Sequence, residues 1–472
     1  MLAITVFTFL TYVPLSSSKF VPVQLTRVAA IALVFCAYLG FNVYYVDLIG
    51  SGLSVFSGLF HVSAVSQVID IFMFIAGSCL LLPWGAWFIH TLSAQPPVNE
   101  YALIILLSLM GSSFLVSTND LVSLFLAIEL QSFAVYVLAA IFKASTDAGL
   151  KYFLLGALSS ALILLGSALI YGATGLTNFD QLATLTTPST GLGLTILAIG
   201  LLWKLAAAPL HHWSPDVLQG TPTVVTAWLA VMPKISIIVL LYNLHFLGDS
   251  FNFTQELLAF VSLLSLLVGS TLGLAQIHIK RLLAYSSVSH IGIMLLAIAI
   301  ASPESTEAFL FYLIQYSFTS INLFFIILAF GYTKLLHKSS DISLIKGYAG
   351  LFWFNPALGA SMVVCLFSMS GVPPMVGFFA KYEVLYTAIH NDYVFLSIIL
   401  VLTSVVSAFY YLKIVKVLCF EDLPEFFNAP EALTSTHAYI ISVLTAGILL
   451  FMLQPTIITN CTQLMAMSLF GY

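Results

Sequence analysis

Charged side chains are scarce in this sequence. Only 7% of its 472 residues are Asp, Glu, Lys or Arg, whereas 61% are hydrophobic and the mean hydropathy is +1.08. Fourteen basic and nineteen acidic side chains cannot coat the exterior of a water-soluble protein of this length. The net charge of −5 also excludes a broad basic surface, and we therefore expect no nucleic-acid partner.

Cysteine is equally sparse and shows no pattern. None of the five cysteines forms a C-x-x-C motif with another, so the sequence predicts neither a disulfide framework nor an iron–sulfur site. The sequence also lacks a nucleotide-binding fingerprint, a Gly-rich phosphate loop and a spaced set of metal ligands. We expect no metal and no cofactor in this chain.

Long apolar stretches, in contrast, recur along almost the whole chain. Stretches of about 18 residues or more span a bilayer as helices, and their continuous rather than alternating pattern disfavours a β-barrel. The sequence therefore predicts an all-α polytopic membrane protein with about fourteen transmembrane helices. The predicted helices cover residues 1–16, 27–46, 66–92, 100–118, 121–142, 148–173, 192–219, 222–247, 254–275, 283–301, 306–332, 356–390, 393–418 and 434–456.

The charges between the predicted helices agree with this count. Basic residues occur only in the odd-numbered loops, as the positive-inside rule predicts when both termini face away from the cytoplasm or matrix. These residues are Lys19, Arg27, Lys143, Lys280, Arg281, Lys334, Lys338, Lys346, Lys413 and Lys416. The even-numbered loops carry acidic residues instead, namely Asp47, Asp120, Asp180, Asp249, Glu304 and Asp392.

Two predicted helices are interrupted by proline and carry a lysine near the interruption. Lys204 lies five residues before Pro209, and Lys381 lies seven residues after Pro374. A membrane tolerates such breaks where protein or water satisfies the freed backbone groups. Because the breaks are five places apart in the helix order, they predict two inverted five-helix repeats, helices 4–8 and 9–13. The corresponding domains are 1–99 for the N-terminal helices, 100–248 and 249–418 for the repeats, and 419–472 for the C-terminal loop and final helix.

Four ionisable residues lie within predicted helices: Glu129, Lys204, Lys234 and Lys381. The first three lie deep, whereas the depth of Lys381 depends on how far the proline pair Pro373–Pro374 unwinds the chain. Each costs at least ~2.5–3.5 kcal/mol at a helix centre if it faces lipid, so this pattern favours a functional ion path over packing. The alternative is that some of them snorkel or form static ion pairs. Lys151 lies within one turn of a predicted helix start, where snorkelling explains it equally well.

Histidine offers further candidates. His211 and His212 are adjacent and point about 100° apart on a helix, so they cannot both ligate one metal or haem, and a single histidine on a water chain is the better interpretation. His290 is either a proton relay or a hydrogen-bonded core residue, and the sequence leaves both open.

These residues suggest a mechanism for moving protons. A buried lysine beside a carboxylate keeps its proton, and it holds that proton less strongly when the carboxylate moves away. At an effective dielectric constant of 20, moving the partner from about 4 Å to about 10 Å removes roughly 2.5 kcal/mol. Moving one charge across 100 mV costs a comparable ~2.3 kcal/mol. A series Glu129–Lys204–Lys234–Lys381, bridged by water and one of the two adjacent histidines, can therefore transfer protons when its charges are displaced.

Four stretches in this order resemble the proton-translocating, antiporter-like membrane subunits of respiratory complex I. They are NDLVSLFLAIELQSFAVYVLAA (119–140), WKLAAAPLHHWSPDVLQGTPTVVTAWLAVMPK (203–234), IKRLLAYSSVSHIGIMLL (279–296) and GVPPMVGFFAK (371–381). The resemblance covers about residues 66 to 418.

The resemblance implies a role for each candidate. Glu129 would pair with Lys204, Lys234 would continue a central axis, and Lys381 would end it. It also points His211 toward the water chain and Lys151 toward the path by which protons enter. Subunit 4 of the family has a glutamate where this chain has Lys381, and subunit 5 carries a long lateral C-terminal helix, whereas this chain stops soon after its last predicted span. The resemblance is therefore greatest to the branch called subunit 2, or N in bacteria.

The implied activity is proton translocation in the membrane arm of NADH:ubiquinone oxidoreductase, driven by quinone reduction in partner subunits. NADH, FMN, iron–sulfur clusters and ubiquinone would bind those partners. The expected partners of this chain are other membrane-arm subunits, including neighbouring antiporter-like subunits, and membrane lipids. The expected location is the mitochondrial inner membrane, with the bacterial plasma membrane as alternative.

Three other functions are compatible with parts of the sequence. A cation/proton antiporter subunit of the Mrp type shares the Glu–Lys pair and the fold. A membrane protein whose ion pairs serve assembly alone would carry the same charges. A quinone-reducing membrane enzyme is disfavoured, because no paired histidines occur at a ligating spacing.

Overall fold

The computed structural model describes residues 1–15, 21–44, 52–91, 99–184, 188–245, 252–333, 342–422 and 435–470. The domain boundary predicted between residues 248 and 249 lies outside the described residues. The same holds for the loop charges Lys19, Asp47, Asp249, Lys334 and Lys338.

Helices make up almost all of the described chain. They are α1 Leu2–Leu15, α2 Val21–Tyr44, α3 Ala64–Thr91, α4 Tyr101–Val116, α5 Leu121–Ala140, α6 Thr146–Thr174, α7 Phe179–Ala183, α8 Pro188–Leu205, α9 Trp213–Gly220, α10 Thr223–His245, α11 Asn252–Leu274, α12 Ile279–Ile300, α13 Pro303–Thr333, α14 Leu351–Phe354, α15 Pro356–Ser370, α16 Val376–His390, α17 Val394–Phe420, α18 Ser435–Leu450 and α19 Thr456–Phe470. Among the described residues, ten helices are long and apolar enough to cross a membrane, and four shorter apolar helices accompany them. The predicted all-α polytopic class is confirmed, whereas the count of fourteen spans and the repeats stay predictions.

Three helices form the centre of the molecule. The apolar windows of α10 and α12 are completely buried by other helices, and that of α13 is 89% buried. A helix with apolar residues all round it belongs inside a bundle, and the few polar side chains of these helices are then buried with it. The outer helices leave large parts of their surfaces exposed, as lipid-facing helices do; the window of α18, for example, is only 28% buried. The centre is where Lys234 and His290 lie.

Glycines let neighbouring helices approach closely at two crossings. A Cβ added at Gly200 of α8 would lie 3.0 Å from the Ser159 carbonyl of α6, and one at Gly269 of α11 would lie 2.6 Å from the Ser289 amide of α12. Membrane helices pack without a hydrophobic driving force between them, so small residues at crossings increase their contact. The first crossing holds α8, which carries Lys204, against α6.

The first of the two predicted proline breaks separates α8 from α9. α8 ends at Leu205, and Ala206 adopts a left-handed conformation with φ of 61°. The indole of Trp213, at the start of α9, donates to the carbonyl of Trp203 at 2.9 Å. The same carbonyl also accepts a hydrogen bond from the Ala206 amide at 3.0 Å, so the end of α8 is tied to the start of α9 across the break.

The second break separates α15 from α16. α15 ends at Ser370, and Gly371 caps it in the left-handed region with φ of +88°. Its amide donates back to the carbonyl of Phe367 at 3.0 Å. Glycine suits this position because it has no Cβ to oppose a positive φ.

A capping residue sets the start of α5. The Asp120 side chain accepts a hydrogen bond from the Val122 amide at 2.8 Å, which satisfies one of the free donors at the helix start. The cap explains this loop aspartate structurally, and it positions the helix that carries Glu129.

Several elements were not predicted from the sequence, including the short helices α7 and α14. Strands β1 Leu53–Val55 and β2 Phe60–Val62 form an antiparallel hairpin where the sequence analysis has no element. The predicted final helix, 434–456, corresponds to α18, and a further helix, α19, follows it and packs against α13. Pro455 stands between the two helices, and the mixed polar and apolar sequence of α19 has no continuous apolar run to reveal it.

Candidate functional site

A buried ion pair joins α5 to the broken end of α8. The Lys204 ammonium lies 3.7 Å from Oε1 of Glu129, and their side chains are only 6% and 16% exposed. This distance is an ion-pair contact but is too long for a hydrogen bond. Among the described residues, Glu129 Oε1 has no hydrogen-bond partner. The carboxylate is therefore held by charge alone on this side and can move without breaking a hydrogen bond there.

The same face of α5 supplies two more contacts to Lys204. Its ammonium donates a hydrogen bond to Oγ of Ser132 at 2.7 Å and lies 6.0 Å from the ring centre of Tyr136, a cation–π distance. Glu129, Ser132 and Tyr136 are three and seven residues apart, which places them on one helix face. Lys204 therefore keeps polar contacts even when the carboxylate moves.

A small cavity lies beside this ion pair. Its volume is about 20 Å³, enough for one water molecule, and Lys204, Ser132 and Tyr136 are among the residues that line it. Pro233 and Ile237 of α10, which lie on either side of Lys234 in the sequence, line it as well. The Lys204 ammonium and the helix that carries the next lysine therefore border the same cavity.

Polar side chains also link α5 directly to α10. The Gln131 amide nitrogen donates to Oγ of Ser236 at 2.9 Å, and that hydroxyl is 3.2 Å from the Gln131 carbonyl oxygen. Both side chains are buried. Such a pair at a membrane helix interface fixes the two helices relative to each other.

Lys234 points away from the first ion pair, toward α12. Its ammonium donates to Oγ of Ser287 at 2.8 Å, and Lys234 is 6% exposed. One turn further along α12 lies His290, which interacts electrostatically with both Lys234 and Lys381. His290 is therefore close to both lysines.

The imidazole of His290 contacts two tyrosines from two other helices. Nδ1 lies 2.6 Å from the hydroxyl of Tyr312 on α13, and Nε2 lies 3.2 Å from the hydroxyl of Tyr411 on α17. The ring of Tyr316 lies 5.4 Å from the imidazole, with the two ring planes tilted by 41°. His290 is thus a buried, hydrogen-bonded residue, which agrees with one of the two sequence interpretations and is compatible with the other.

Lys381 binds the end of a helix. Its ammonium donates to the carbonyls of Met369 and Ser370, each at 2.9 Å, at the C-terminus of α15. A helix C-terminus presents unpaired carbonyls and a partial negative charge, so it attracts a cation. Gly371 makes room for this side chain, because an added Cβ would lie 3.0 Å from Cδ of Lys381.

The two remaining candidates lie at the edge of this arrangement. His211 is buried in the break between α8 and α9, with Nδ1 3.3 Å from the Pro209 carbonyl. The Lys151 ammonium is 2.9 Å from Asp216 of α9, with 54% of the lysine side chain exposed. Arg281 of α12 lies 3.3 Å from the other oxygen of Asp216.

The structure thus divides the predicted residues into separate clusters. Glu129 contacts Lys204 directly, Lys234 reaches α12 next to His290, and Lys381 binds α15. Sequence reasoning missed the hydroxyls between them. Ser132 and Ser287 lie three residues from Glu129 and His290, so helical spacing was a usable signal. Tyr312 and Tyr411 are 22 and 121 residues from His290 and carried no such signal.

All these groups are suited to proton transfer. Ammonium, imidazole and hydroxyl groups each donate hydrogen bonds, and in their neutral forms each accepts one. They are buried among apolar helices, where charge interactions are stronger than in water. An arrangement of this kind can pass a proton without exposing a bare charge to lipid.

Comparisons with known proteins agree with this geometry. A family described as NADH:quinone oxidoreductase/Mrp antiporter, TM, matches residues 118–407, which contain both breaks and all four buried charges. The chain is 43% identical to NADH-ubiquinone oxidoreductase chain 2 of Rhizopus oryzae, with 98% of this chain and 99% of the relative covered. It is 39% identical to NADH-quinone oxidoreductase subunit N of Rhodospirillum rubrum, over 78% of this chain and 77% of the relative.

A solved structure shows the same fold. A chain of respiratory complex I from Thermus thermophilus with bound aureothin superposes with a TM-score of 0.79 at 29% identity, covering 98% of this chain and 99% of that chain. The chain therefore belongs to the NADH:quinone oxidoreductase/Mrp antiporter family of membrane proteins and, within it, to the group whose members are named chain 2 or subunit N.

Proposed function

We propose that this chain is a proton-translocating membrane-arm subunit of an NADH:quinone oxidoreductase. The observation that carries the proposal is the buried ion pair that joins Glu129 of α5 to Lys204 at the broken end of α8. An ion pair buried in a membrane is costly, and paired intramembrane charges characteristically mark ion paths. The full-length relatives named as subunits of this oxidoreductase support the same proposal.

In the proposed mechanism, Lys204 is the switch of the first repeat. While Glu129 stays near, its charge keeps the proton on Lys204. When the carboxylate moves away, the lysine releases its proton into the adjoining cavity, toward α10 and Lys234. Ser132 continues to accept a hydrogen bond from the nitrogen, so the side chain stays in position during the exchange.

The series then continues into the second repeat. Lys234, the last lysine of the first repeat, receives the proton from Lys204 and passes it into the second repeat, where Lys381 is the last acceptor of the series. His290 connects these two lysines. In the same proposal His211 orders water in the break of the first repeat, and Lys151 with Asp216 forms the exposed end by which protons enter. The domains 100–248 and 249–418 are then the two functional halves, flanked by 1–99 and 419–472.

The redox steps belong to other chains in this proposal. NADH, FMN, iron–sulfur clusters and ubiquinone would bind partner subunits, and quinone reduction there would displace Glu129. Neighbouring antiporter-like subunits and lipids would contact the outer helices. The relatives come from both a fungus and bacteria, so either the mitochondrial inner membrane or a bacterial plasma membrane is compatible with the proposal.

Substitution of Lys204 tests the proposal. In the assembled complex reconstituted into proteoliposomes, Lys204→Met should abolish NADH-driven proton uptake, because methionine fills the same volume and carries no proton. Lys413→Met, which alters an exposed lysine near the end of α17, is the matched control and should pump normally. A Lys204→Met complex that assembles and pumps at the control rate would overturn the proposal and would favour ion pairs that serve assembly alone.

Co-purification separates the proposal from the Mrp-type alternative. A subunit of the oxidoreductase should purify with a flavin and iron–sulfur clusters, which visible absorption and electron paramagnetic resonance detect. Purification with small membrane proteins alone, without either group, would reject the oxidoreductase assignment. It would support a cation/proton antiporter instead.

A further inference from the structure

The region between Lys234 and Lys381 contains a hydroxyl cluster that the proposed mechanism has not used. Three tyrosine rings, Tyr312, Tyr316 and Tyr411, surround His290 from α13 and α17, and all of them are buried. Four polar groups at one point in a membrane bundle are costly unless they hydrogen bond to one another. Hydrogen bonds are therefore expected to hold these four side chains in a defined arrangement.

The two ring nitrogens of neutral His290 must play opposite roles in its hydrogen bonds. A neutral imidazole has one donor nitrogen and one acceptor nitrogen. With Nδ1 at 2.6 Å from Tyr312 and Nε2 at 3.2 Å from Tyr411, one tyrosine donates to the ring and the other accepts from it. The reverse arrangement uses the other tautomer and the same three groups. The two arrangements differ only in the positions of their protons.

Moving between these arrangements passes one proton through the cluster. A proton arrives at the first hydroxyl, whose own proton moves to the near ring nitrogen. The proton on the far ring nitrogen moves to the second hydroxyl, and that hydroxyl releases its original proton. The two hydroxyls and the imidazole are neutral before and after the step. One proton has been gained and one lost, and both hydrogen bonds of the imidazole have reversed their direction.

The position of the cluster fits such a step. His290 interacts electrostatically with both Lys234 and Lys381. Ser287, one turn away on α12, accepts a hydrogen bond from Lys234, and the Tyr316 hydroxyl is within hydrogen-bonding reach of Ser287. Hydroxyl groups therefore lead from Lys234 as far as Tyr316, whose ring centre lies 5.4 Å from that of the imidazole.

We infer that Tyr312 and Tyr411, together with His290, form a hydroxyl–imidazole–hydroxyl relay that carries protons between Lys234 and Lys381. The inference rests on the proposed function, because a relay has a purpose only if protons move along this series. It adds two tyrosines as proton-carrying residues. It also requires a reset, since the relay must return to its first hydrogen-bond direction before it can carry a second proton the same way.

Phenylalanine substitutions test the relay in the assembled complex in proteoliposomes. Tyr312→Phe and Tyr411→Phe each remove one oxygen atom and keep the ring, and each should lower NADH-driven proton pumping per assembled complex by about tenfold or more. Tyr348→Phe is the matched control, because that fully buried tyrosine also donates a hydrogen bond, to the Ile342 carbonyl, but lies outside the series. It should pump as the unaltered complex does.

A histidine substitution separates a relay from a structural hydrogen bond. In His290→Gln the amide still offers one donor and one acceptor to the two tyrosines, but it has no tautomer that transfers a proton. The relay predicts an assembled complex with pumping as low as in the tyrosine variants. Normal pumping by His290→Gln, or by both phenylalanine variants, would overturn the relay, as would failure of all three to assemble while Tyr348→Phe assembles.

The Lys204→Met complex, measured alongside, identifies which proposal has failed. If Lys204→Met abolishes pumping and the tyrosine variants pump normally, the relay is wrong and the proposed function stands. If Lys204→Met also pumps normally, the proposed function is wrong, and the relay falls with it.

Discussion

The two broken helices hold their lysines in different ways. In the first half, Lys204 lies on the helix that breaks and faces a carboxylate at 3.7 Å and a hydroxyl at 2.7 Å from another helix. In the second half, Lys381 lies beyond the break and reaches back to two backbone carbonyls, both at 2.9 Å. The same residue type at two similar breaks therefore has a side-chain partner in one half and a backbone partner in the other.

This difference sets how each lysine can be switched. A carboxylate changes position by a rotation about its own side-chain bonds, and at an effective dielectric constant of 20 its departure to about 10 Å changes the energy of a charged lysine by roughly 2.5 kcal/mol. Carbonyls at a helix end are part of the backbone, so they move only with the helix. In the proposed mechanism, movement of one side chain therefore switches Lys204, whereas switching Lys381 requires a movement of the end of α15.

Removing the Glu129 carboxylate should have the largest effect on proton pumping and should test the difference between the two halves most directly. Glu129→Gln leaves the buried Lys204 without its counter-charge, and removal of one partner of a buried ion pair costs about 3–5 kcal/mol. We expect proton pumping in proteoliposomes to fall by at least about tenfold. The exposed Glu100 at the start of α4 provides a control, since Glu100→Gln should leave pumping intact. Equal pumping by both variants would show that Lys204 needs no carboxylate.

Removing the serine hydroxyls that bind Lys204 and Lys234 should have the second-largest effect on proton pumping. A hydrogen bond to a charged group is worth about 1.5–3 kcal/mol. Ser132→Ala leaves Lys204 with its carboxylate, whereas Ser287→Ala takes a hydroxyl from Lys234, which the first ion pair does not reach. We therefore expect the larger loss of pumping in Ser287→Ala, measured as the initial rate of proton uptake. A larger loss in Ser132→Ala would mean that the carboxylate contributes less to Lys204 than the hydroxyl does.

Replacing Gly371, which caps α15 in the second half, should have a smaller effect on proton pumping. Gly371→Ala places a Cβ at positive φ, at a cost of about 1–2 kcal/mol, and also displaces Lys381. Gly175, which caps α6 with φ of +70° and has no atom within 4 Å of an added Cβ, separates the two causes. Thermal inactivation of the complex should occur at lower temperature in both alanine variants, and only Gly371→Ala should slow pumping. Equal pumping by the two variants would contradict a role for the α15 carbonyls.

The exposed pair of Lys151 and Asp216 should matter least. Exposed ion pairs contribute roughly 0.2–1 kcal/mol, and salt screens them further. Lys151→Met should therefore change the thermal inactivation of the complex little. If the pair is the end by which protons enter, Asp216→Asn and Lys151→Met should both slow pumping at low ionic strength, and by less at high salt. A loss as large as that of Glu129→Gln would place Lys151 with the buried series instead.

The sequence predicted correctly those features that depend on residues close together in the chain. Proline and lysine in an apolar run predict a break with a buried charge, and both breaks coincide with the structure. The pairing of Glu129 with Lys204 followed only from family resemblance, because 75 residues separate them and no periodicity links them. The hairpin and α19 were missed for the opposite reason, since neither contains a long apolar run.

Composition alone determined that this chain resides in a membrane, because so few charges cannot surround a water-soluble protein, and the rarity of those charges singled out the buried ones as candidates. Only the folded arrangement decided which partner each of them has. A carboxylate, a serine, two tyrosines and the end of a helix come from distant parts of the chain, and only helix packing brings them within hydrogen-bond or ion-pair distance.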